Sequence, residues 1–342
     1  MSSDLNKKQI VTVLGAGSWG SALAKLLHQN GHTVRLWEFD SAVAARYAAT
    51  RENADFLPGI QMDEGILITS DMAEALADTG FVIFVVPTHV LRVVAEKAAD
   101  LIDKHCVVVT CSKGIEKGTM LCMSDVLSET LPNLSADHLA ALSGPSHAEE
   151  VSRGVPTLVT AASVNHDTGV KVQALFMSPV FRVYTSQDLI GVELGGAIKN
   201  VIAVAAGISD GVGFGDNTKA ALMTRGLVEI TRLGSAMGAD ALTFAGLSGM
   251  GDLVVTCMSR HSRNRFLGEE IGKGRSPETV VTDMVQVAEG YRTTASALEL
   301  ARKHQVVMPI TQEVYRVLYE NKSPKEAVRD LMTRDPKIED WG

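Results

Sequence analysis

At 342 residues, 46% of them hydrophobic, the chain exceeds the ~250–300 residues that one core usually serves, so two domains are expected. Its 32 basic and 40 acidic side chains leave a formal charge of −8, which excludes a nonspecific nucleic-acid binder and requires a local cationic pocket for any anionic substrate. Cys106, Cys111, Cys122 and Cys257 have neither C-x-x-C spacing nor a paired histidine cluster, so no metal centre and no disulfide framework is expected, and reduced cytoplasmic thiols are the simplest reading.

The first residues are polar and no uninterrupted apolar run approaches the ~18 residues of a membrane span, so a soluble, unexported chain with no integral membrane segment is expected. The first predicted strand, Ile10–Leu14, runs directly into Gly15-Ala16-Gly17-Ser18-Trp19-Gly20 and then into an apolar helical pattern. That order suits a bound pyrophosphate. Gly15 permits the tight turn, Gly17 lets the backbone approach the phosphates, and Gly20 brings the helix close to its strand. The helix N-terminus then presents free N–H groups and a positive dipole end to the anion. A second strand, Thr33–Trp37, ends at Glu38, roughly 20 residues past Gly20, where a carboxylate can accept from the ribose 2′-hydroxyl of NAD.

Further short apolar runs, most of them rich in β-branched residues, at 66–69, 81–86, 107–111, 139–143, 158–162 and 180–184 alternate with amphipathic stretches, as a doubly wound parallel sheet requires. The run at 81–86 has no polar residue, which suits a central strand buried on both faces. Past Gln187 the strands vanish. The stretch 189–207 is apolar or small on nearly every face and predicts the central helix of an all-α domain. Helices are also expected over 218–237, with Asp216 or Asn217 as cap, and over 262–272, 293–304, 312–319 and 323–333. The predicted domains are therefore 1–188 and 189–342, with no flexible linker between them.

Five segments carry polar chemistry. Lys113 follows the strand at 107–111, and ligands of open α/β sheets bind beyond the carboxyl ends of strands. Ser143-Gly144-Pro145-Ser146-His147-Ala148 lacks the final glycine of a nucleophile elbow, so backbone N–H groups and the Ser146 hydroxyl offered to a ligand are favoured over serine-hydrolase chemistry. Lys199 lies in the middle of the apolar helix after Gly195-Gly196; an ammonium there needs partners or a cleft, and the glycines admit another backbone or a cofactor. The glycine-rich 246–251 stretch predicts a tight loop holding Asp252, and Ser262-Arg263-Asn264 then opens a helix with the hydroxyl, guanidinium, amide and free N-terminus that cradle a phosphate. Val287-Ala288-Glu289-Gly290 marks one more loop-to-helix junction.

Taken together, the cofactor turn, Ser112-Lys113-Gly114, Ser143-Gly144-Pro145-Ser146, Gly195-Gly196-Ala197-Ile198-Lys199-Asn200, Gly213-Phe214-Gly215-Asp216-Asn217-Thr218-Lys219, Gly249-Met250-Gly251-Asp252-Leu253, Ser262-Arg263-Asn264 and Val287-Ala288-Glu289-Gly290 resemble the motifs of the bacterial-type NAD(P)-dependent glycerol-3-phosphate dehydrogenases, in that family's order and over essentially the whole chain. The resemblance implies a Rossmann domain followed by an all-helical domain, with the active site between them. It implies interconversion of dihydroxyacetone phosphate and sn-glycerol 3-phosphate with NAD(P)H, supply of glycerol 3-phosphate for phospholipid synthesis, and a homodimer. By the same resemblance Ser18, Trp19, Lys113, Ala148, Arg263, Val287 and Glu289 contact the cofactor. Lys113, Gly144, Ser146, Lys199, Asp252, Ser262, Arg263 and Asn264 hold the substrate, and Lys199 is the proton donor and acceptor.

One departure concerns Glu38-Phe39-Asp40, where the family often has a basic residue or histidine near Phe39. A 2′-phosphate would meet two carboxylates there with only Arg35 or Arg46 as cations, so NAD(H) is the expected preference and NADP(H) use stays open. The rival readings are a hydroxyacid dehydrogenase or ketopantoate-reductase-like enzyme, which would not demand a substrate phosphate, and a non-catalytic dinucleotide sensor, which would have no use for Lys199, Lys113 and Asp252 together.

Overall fold

The computed structural model describes residues 7–336 and 338–339. Its backbone separates into two compact units, Met1–Ser112 with Met123–Leu189, and Lys113–Cys122 with Ile190–Gly342. The short excursion 113–122 belongs with the helical unit although it follows a strand of the first. Its apolar anchors explain this, because Ile115 and Cys122 pair across an isolated bridge and are buried in the core of the second unit.

The first unit is an eight-stranded sheet in the order β3-β2-β1-β4-β5-β6-β7-β8. The strands are β1 (Ile10–Leu14), β2 (Thr33–Trp37), β3 (Leu67–Thr69), β4 (Phe81–Phe84), β5 (Val107–Thr110), β6 (Leu139–Ser143), β7 (Thr157–Ala162) and β8 (Phe181–Ser186). Every residue of β4 and β5 is buried, as expected of strands covered on both faces. The order reverses between β1 and β4, and the glycine turn leaves the carboxyl end of β1 at that switch point.

One expectation fails. The sheet is parallel except where β6 and β7 run antiparallel, with Leu142 opposite Ala161. The 144–156 connection carries only the one-turn helix Ala148–Val151, too short to lie along the sheet as the crossover helix of a parallel return does. Gly144, at φ +143°, makes the reversal possible, since a Cβ there would lie 2.9 Å from the Val159 Cα.

The helical unit is organised around Leu189–Val212, five residues longer than its sequence pattern predicts. By length and mean hydropathy this helix could cross a membrane, but Glu193, Lys199 and Asn200 interrupt its apolar run, and 89% of its most apolar window is buried, as in the core helix of a globular unit. It crosses the helix Arg263–Gly272 at backbone contact. A Cβ on Gly207 would lie 2.0 Å from the Arg265 carbonyl oxygen, and one on Gly268 would lie 2.1 Å from that of Val204. At such a crossing an added methyl must push the helices apart, so overpacking costs at least ~1–3 kcal/mol.

The helix Asp216–Ala236 is capped by Gly215 rather than by Asp216 or Asn217, which already lie inside it. Its buried Glu229 accepts from the backbone N–H groups of Ile310 and Thr311, at 2.5 and 3.1 Å, and from the Thr311 hydroxyl at 3.0 Å. One carboxylate thus caps the start of the helix Pro309–Tyr319 from across the core.

Candidate active site

In the first unit the glycine turn has the shape its sequence implies. Gly15 takes φ +111° and donates its N–H to Trp37 O at 3.1 Å, joining the turn to the end of β2. A Cβ on Gly20 would lie only 1.8 Å from Gly15 O, so the helix Ser18–Gln29 can start only against a bare α-carbon. Gly17, the residue before that helix, has open space where a side chain would project, the opening a pyrophosphate requires. Ser18 is buried in the first turn, and Trp19 packs against the core with an unpartnered indole N–H.

Glu38 closes this turn from β2. Burial raises its carboxyl above the ordinary value, while the N–H groups of Asp40, Phe39 and Ala16 favour the ionised form. Neither cation expected near a 2′-phosphate is uncommitted: Arg35 donates to the carbonyls of Glu74, Ala75 and Ala77, and Arg46 is paired with Asp55. A different cation is present, because Lys97 Nζ sits 5.6 Å from the centroid of the exposed Phe39 ring. Elsewhere in this unit the Ser146 hydroxyl donates to Gly144 O at 2.9 Å, and the buried Ala148 opens the next helix. The sheet unit therefore fits a dinucleotide: a bare turn, a helix N-terminus and a carboxylate at the ribose end.

The helical unit brings Lys113, Lys199 and Asp252 into one cluster. Asp252 is buried and takes both ammonium groups, Lys199 Nζ at 2.5 Å on Oδ1 and Lys113 Nζ at 2.7 Å on Oδ2. Local backbone explains how it gets there. Gly195 has the carbonyl of Ser248 where a Cβ would sit, at 2.6 Å, so the glycine pair admits a neighbouring backbone. That neighbour, 247–251, is a turn of π-helix rather than the predicted loop, and it runs straight into the helix Asp252–Met258.

Thr256 completes the cluster and escaped the sequence reading. It lies one turn beyond Asp252, on the same helix face, accepts from Lys199 Nζ at 2.9 Å and donates to Asp252 O at 2.6 Å. The i, i+4 spacing from a buried acid was the available signal. Two of the three Lys199 donor positions are thereby used.

The electrostatics follow from burial and neighbours. Desolvation lowers Lys199 to about 8, with the Lys113 charge acting in the same direction and Asp252 opposing both. Burial alone would raise Asp252, but Lys113 and Lys199 together hold it below the ordinary carboxylate value. An amine near 8 beside a carboxylate whose ionised form is favoured can give and retake a proton at neutral pH.

The phosphate-type residues stand nearby in sequence and in the same unit. Ser262 caps the helix Arg263–Gly272 by accepting from Arg265 N at 3.2 Å, and Arg263 extends to Gln286 at 2.9 Å. Asn264 is buried and engaged at both ends of its amide, donating to Asn200 Oδ1 and accepting from Gly290 N, each at 2.8 Å. Val287 is exposed, and Glu289 begins the helix Glu289–Lys303.

Family comparisons agree with this geometry. The family models described as NAD-dependent glycerol-3-phosphate dehydrogenase N-terminus and C-terminus match residues 10–169 and 188–329. A glycerol-3-phosphate dehydrogenase [NAD(P)+] of Prosthecochloris aestuarii is 50% identical over 330 residues, covering 96% of this chain and 99% of the relative. One from Citrifermentans bemidjiense is 51% identical over 329 residues, covering 96% and 98%. The crystal structure of glycerol-3-phosphate dehydrogenase from Coxiella burnetii superposes with a TM-score of 0.91 at 38% identity, covering 96% of this chain and 99% of that one. With a dinucleotide turn in one unit, a buried lysine–aspartate–lysine cluster in the other, and relatives matched over nearly their full length, the chain belongs to the NAD-dependent glycerol-3-phosphate dehydrogenase family.

Proposed function

We propose that this protein interconverts dihydroxyacetone phosphate and sn-glycerol 3-phosphate with NAD(P)H, and that Lys199 moves the proton. The observation that carries the reading is the Lys199 ammonium held by Asp252 and Thr256 with one donor position unspent. Gly15, Gly17, Ser18, Trp19, Gly20 and Glu38 would hold the dinucleotide, which supplies or accepts the hydride when bound.

Reduction places negative charge on the former ketone oxygen. Lys199 donates a hydrogen bond to that oxygen, stabilises the charge as it grows and then transfers the proton, which leaves a neutral amine. In the reverse direction the neutral amine takes the hydroxyl proton. Asp252 keeps the Nζ aimed in both directions, and Lys113 adds positive charge beside the same oxygen. Ser262 and Arg263, at a helix N-terminus, anchor the phosphate, and fixing the far end of so small a substrate can lower the barrier by several kcal/mol through orientation alone.

The family relationship supports a role in supplying glycerol 3-phosphate for phospholipids and a homodimeric state. The four buried cysteines, none of them in a disulfide, are compatible with a cytoplasmic location. The test is an assay of NADH and NADPH oxidation with dihydroxyacetone phosphate, run beside unphosphorylated dihydroxyacetone. Turnover with the phosphorylated ketone alone supports the reading; turnover with neither, or equally with both, rejects it.

A further inference from the structure

The carbonyl of Ala16, in the middle of the glycine turn, is held by a side chain 37 positions further along the sheet unit. Asn53 donates one amide hydrogen to Ala16 O at 2.6 Å and the other to the Ser21 hydroxyl at 3.2 Å, while Ser21 Oγ itself donates to Ala16 O at 3.3 Å. The far end of the amide fixes its orientation: Asn53 Oδ1 accepts from Phe56 N at 3.2 Å, and a flipped amide would set two donors face to face. Asn53 and Ser21 are both buried, so leaving either unmet is destabilising. The segment that carries Asn53 is itself tied down. Leu57 N donates to Asn53 O at 2.8 Å, the Arg51 guanidinium donates to the carbonyls of Asp63, Glu64 and Ile66, and Leu57, Ile60 and Met62 enter the core of the sheet unit.

Ala16 is also gripped at its amino side, where its N–H is directed to the Glu38 carboxylate. In a planar trans peptide the carbonyl and the following N–H point in opposite directions. An Ala16 carbonyl drawn inward by Asn53 therefore sends the Gly17 N–H outward, away from the buried amide. Gly17 is the residue from which the helix Ser18–Gln29 starts, and no side chain caps that start, so an anion is the natural acceptor there. We infer that Asn53 is a positioning residue for the dinucleotide: acting through the main chain and not by contact, it keeps the Gly17 N–H aimed at the pyrophosphate. Without this tie the Ala16–Gly17 peptide is free to rotate, and a carbonyl oxygen turned outward repels the phosphates. The inference rests on the reading of this turn as the dinucleotide site.

The experiment measures the affinity of the full chain for NAD⁺ by calorimetry and, by ligand-observed NMR, for adenosine, which carries the base and ribose but no phosphate. Asn53→Ala should weaken NAD⁺ about 10-fold or more and adenosine less than about 2-fold, whereas a merely structural role would weaken both alike. Asn53→Asp keeps the shape and the acceptor for Phe56 N but turns a second oxygen toward Ala16 O. Only its protonated form can donate to that carbonyl, so its NAD⁺ affinity should recover about 5-fold or more as pH falls from about 8 to about 5.5. Glu38 on the other side of Ala16, and Arg51 and Glu52 beside position 53, are common to both variants, so Asn53→Ala taken over the same pH range removes their part. Equal losses for NAD⁺ and adenosine in Asn53→Ala, or an Asn53→Asp profile parallel to that of Asn53→Ala, overturns the inference. Failure of the native protein to bind NAD⁺ overturns the reading of the turn, and the inference with it.

Discussion

Asp252 and Lys199 are joined by a 2.5 Å contact between two buried side chains, and the second oxygen of that same carboxylate holds Lys113. The charge of the acid is shared between two bases, so its removal changes both at once. The consequences are specific enough to measure.

Lys199→Ala should lower kcat for ketone reduction by about 10²–10⁴, the usual contribution of general acid–base catalysis. NADH affinity, measured by fluorescence titration, should change less than about 3-fold, because the glycine turn of the other unit is untouched. A variant with native kcat would remove Lys199 from the reaction.

The pH dependence has a definite sign. With Lys199 at about 8, reduction needs the protonated amine and should fall as pH rises through that value, whereas oxidation should rise through it. In Asp252→Asn the carboxylate that raises the amine's pKa is gone, so the limb should move to lower pH and kcat should drop by about 10² or more. Rate profiles in both directions read this directly, and an unmoved limb would contradict the assignment.

Cofactor choice should turn on Glu38 and Lys97. Glu38→Ser removes a carboxylate from the ribose end and should raise the NADPH-to-NADH ratio of kcat/KM about 10-fold. Lys97→Ala removes the cation over Phe39 and should lower that ratio, by weakening NADPH more than NADH. Dissociation constants for the two reduced cofactors, taken without substrate, separate this effect from chemistry.

Stability should carry the signature of Glu229. Burial raises its folded value to about 7 from an ordinary value near 4.5, so the folded state binds more protons than the unfolded state between those limits. Its contribution is therefore complete below about pH 4.5 and declines as pH rises to about 7, by on the order of 2 kcal/mol. Comparing the pH dependence of urea unfolding in the native protein and in Glu229→Ala isolates this term; identical slopes in that window would refute it.

Period and punctuation made most of the fold legible. The strands Ile10–Leu14, Thr33–Trp37 and Leu139–Ser143 coincide with their predicted limits because short, largely apolar runs stop at glycine or polar residues. Lys113 and Asp252 stood out as charges beside glycine, and Lys199 as a charge within an apolar helix. Their meeting point was hidden, because contacts between residues 139 or 53 positions apart leave no local periodicity. The antiparallel β6–β7 pair escaped for a different reason, since buried strands of either direction share the same apolar composition. Nothing in the local sequence marks Thr256, because the partners that give its hydroxyl a role, the Lys199 ammonium and the Asp252 carbonyl, are set by the fold and the helix.

The glycine crossing between Leu189–Val212 and Arg263–Gly272 acts as a rigid ruler. Where Gly207 and Gly268 face main-chain carbonyls, neither helix can slide past the other without a steric collision, and the Asn200–Asn264 side-chain bond ties the two helices again beside Lys199 and Ser262.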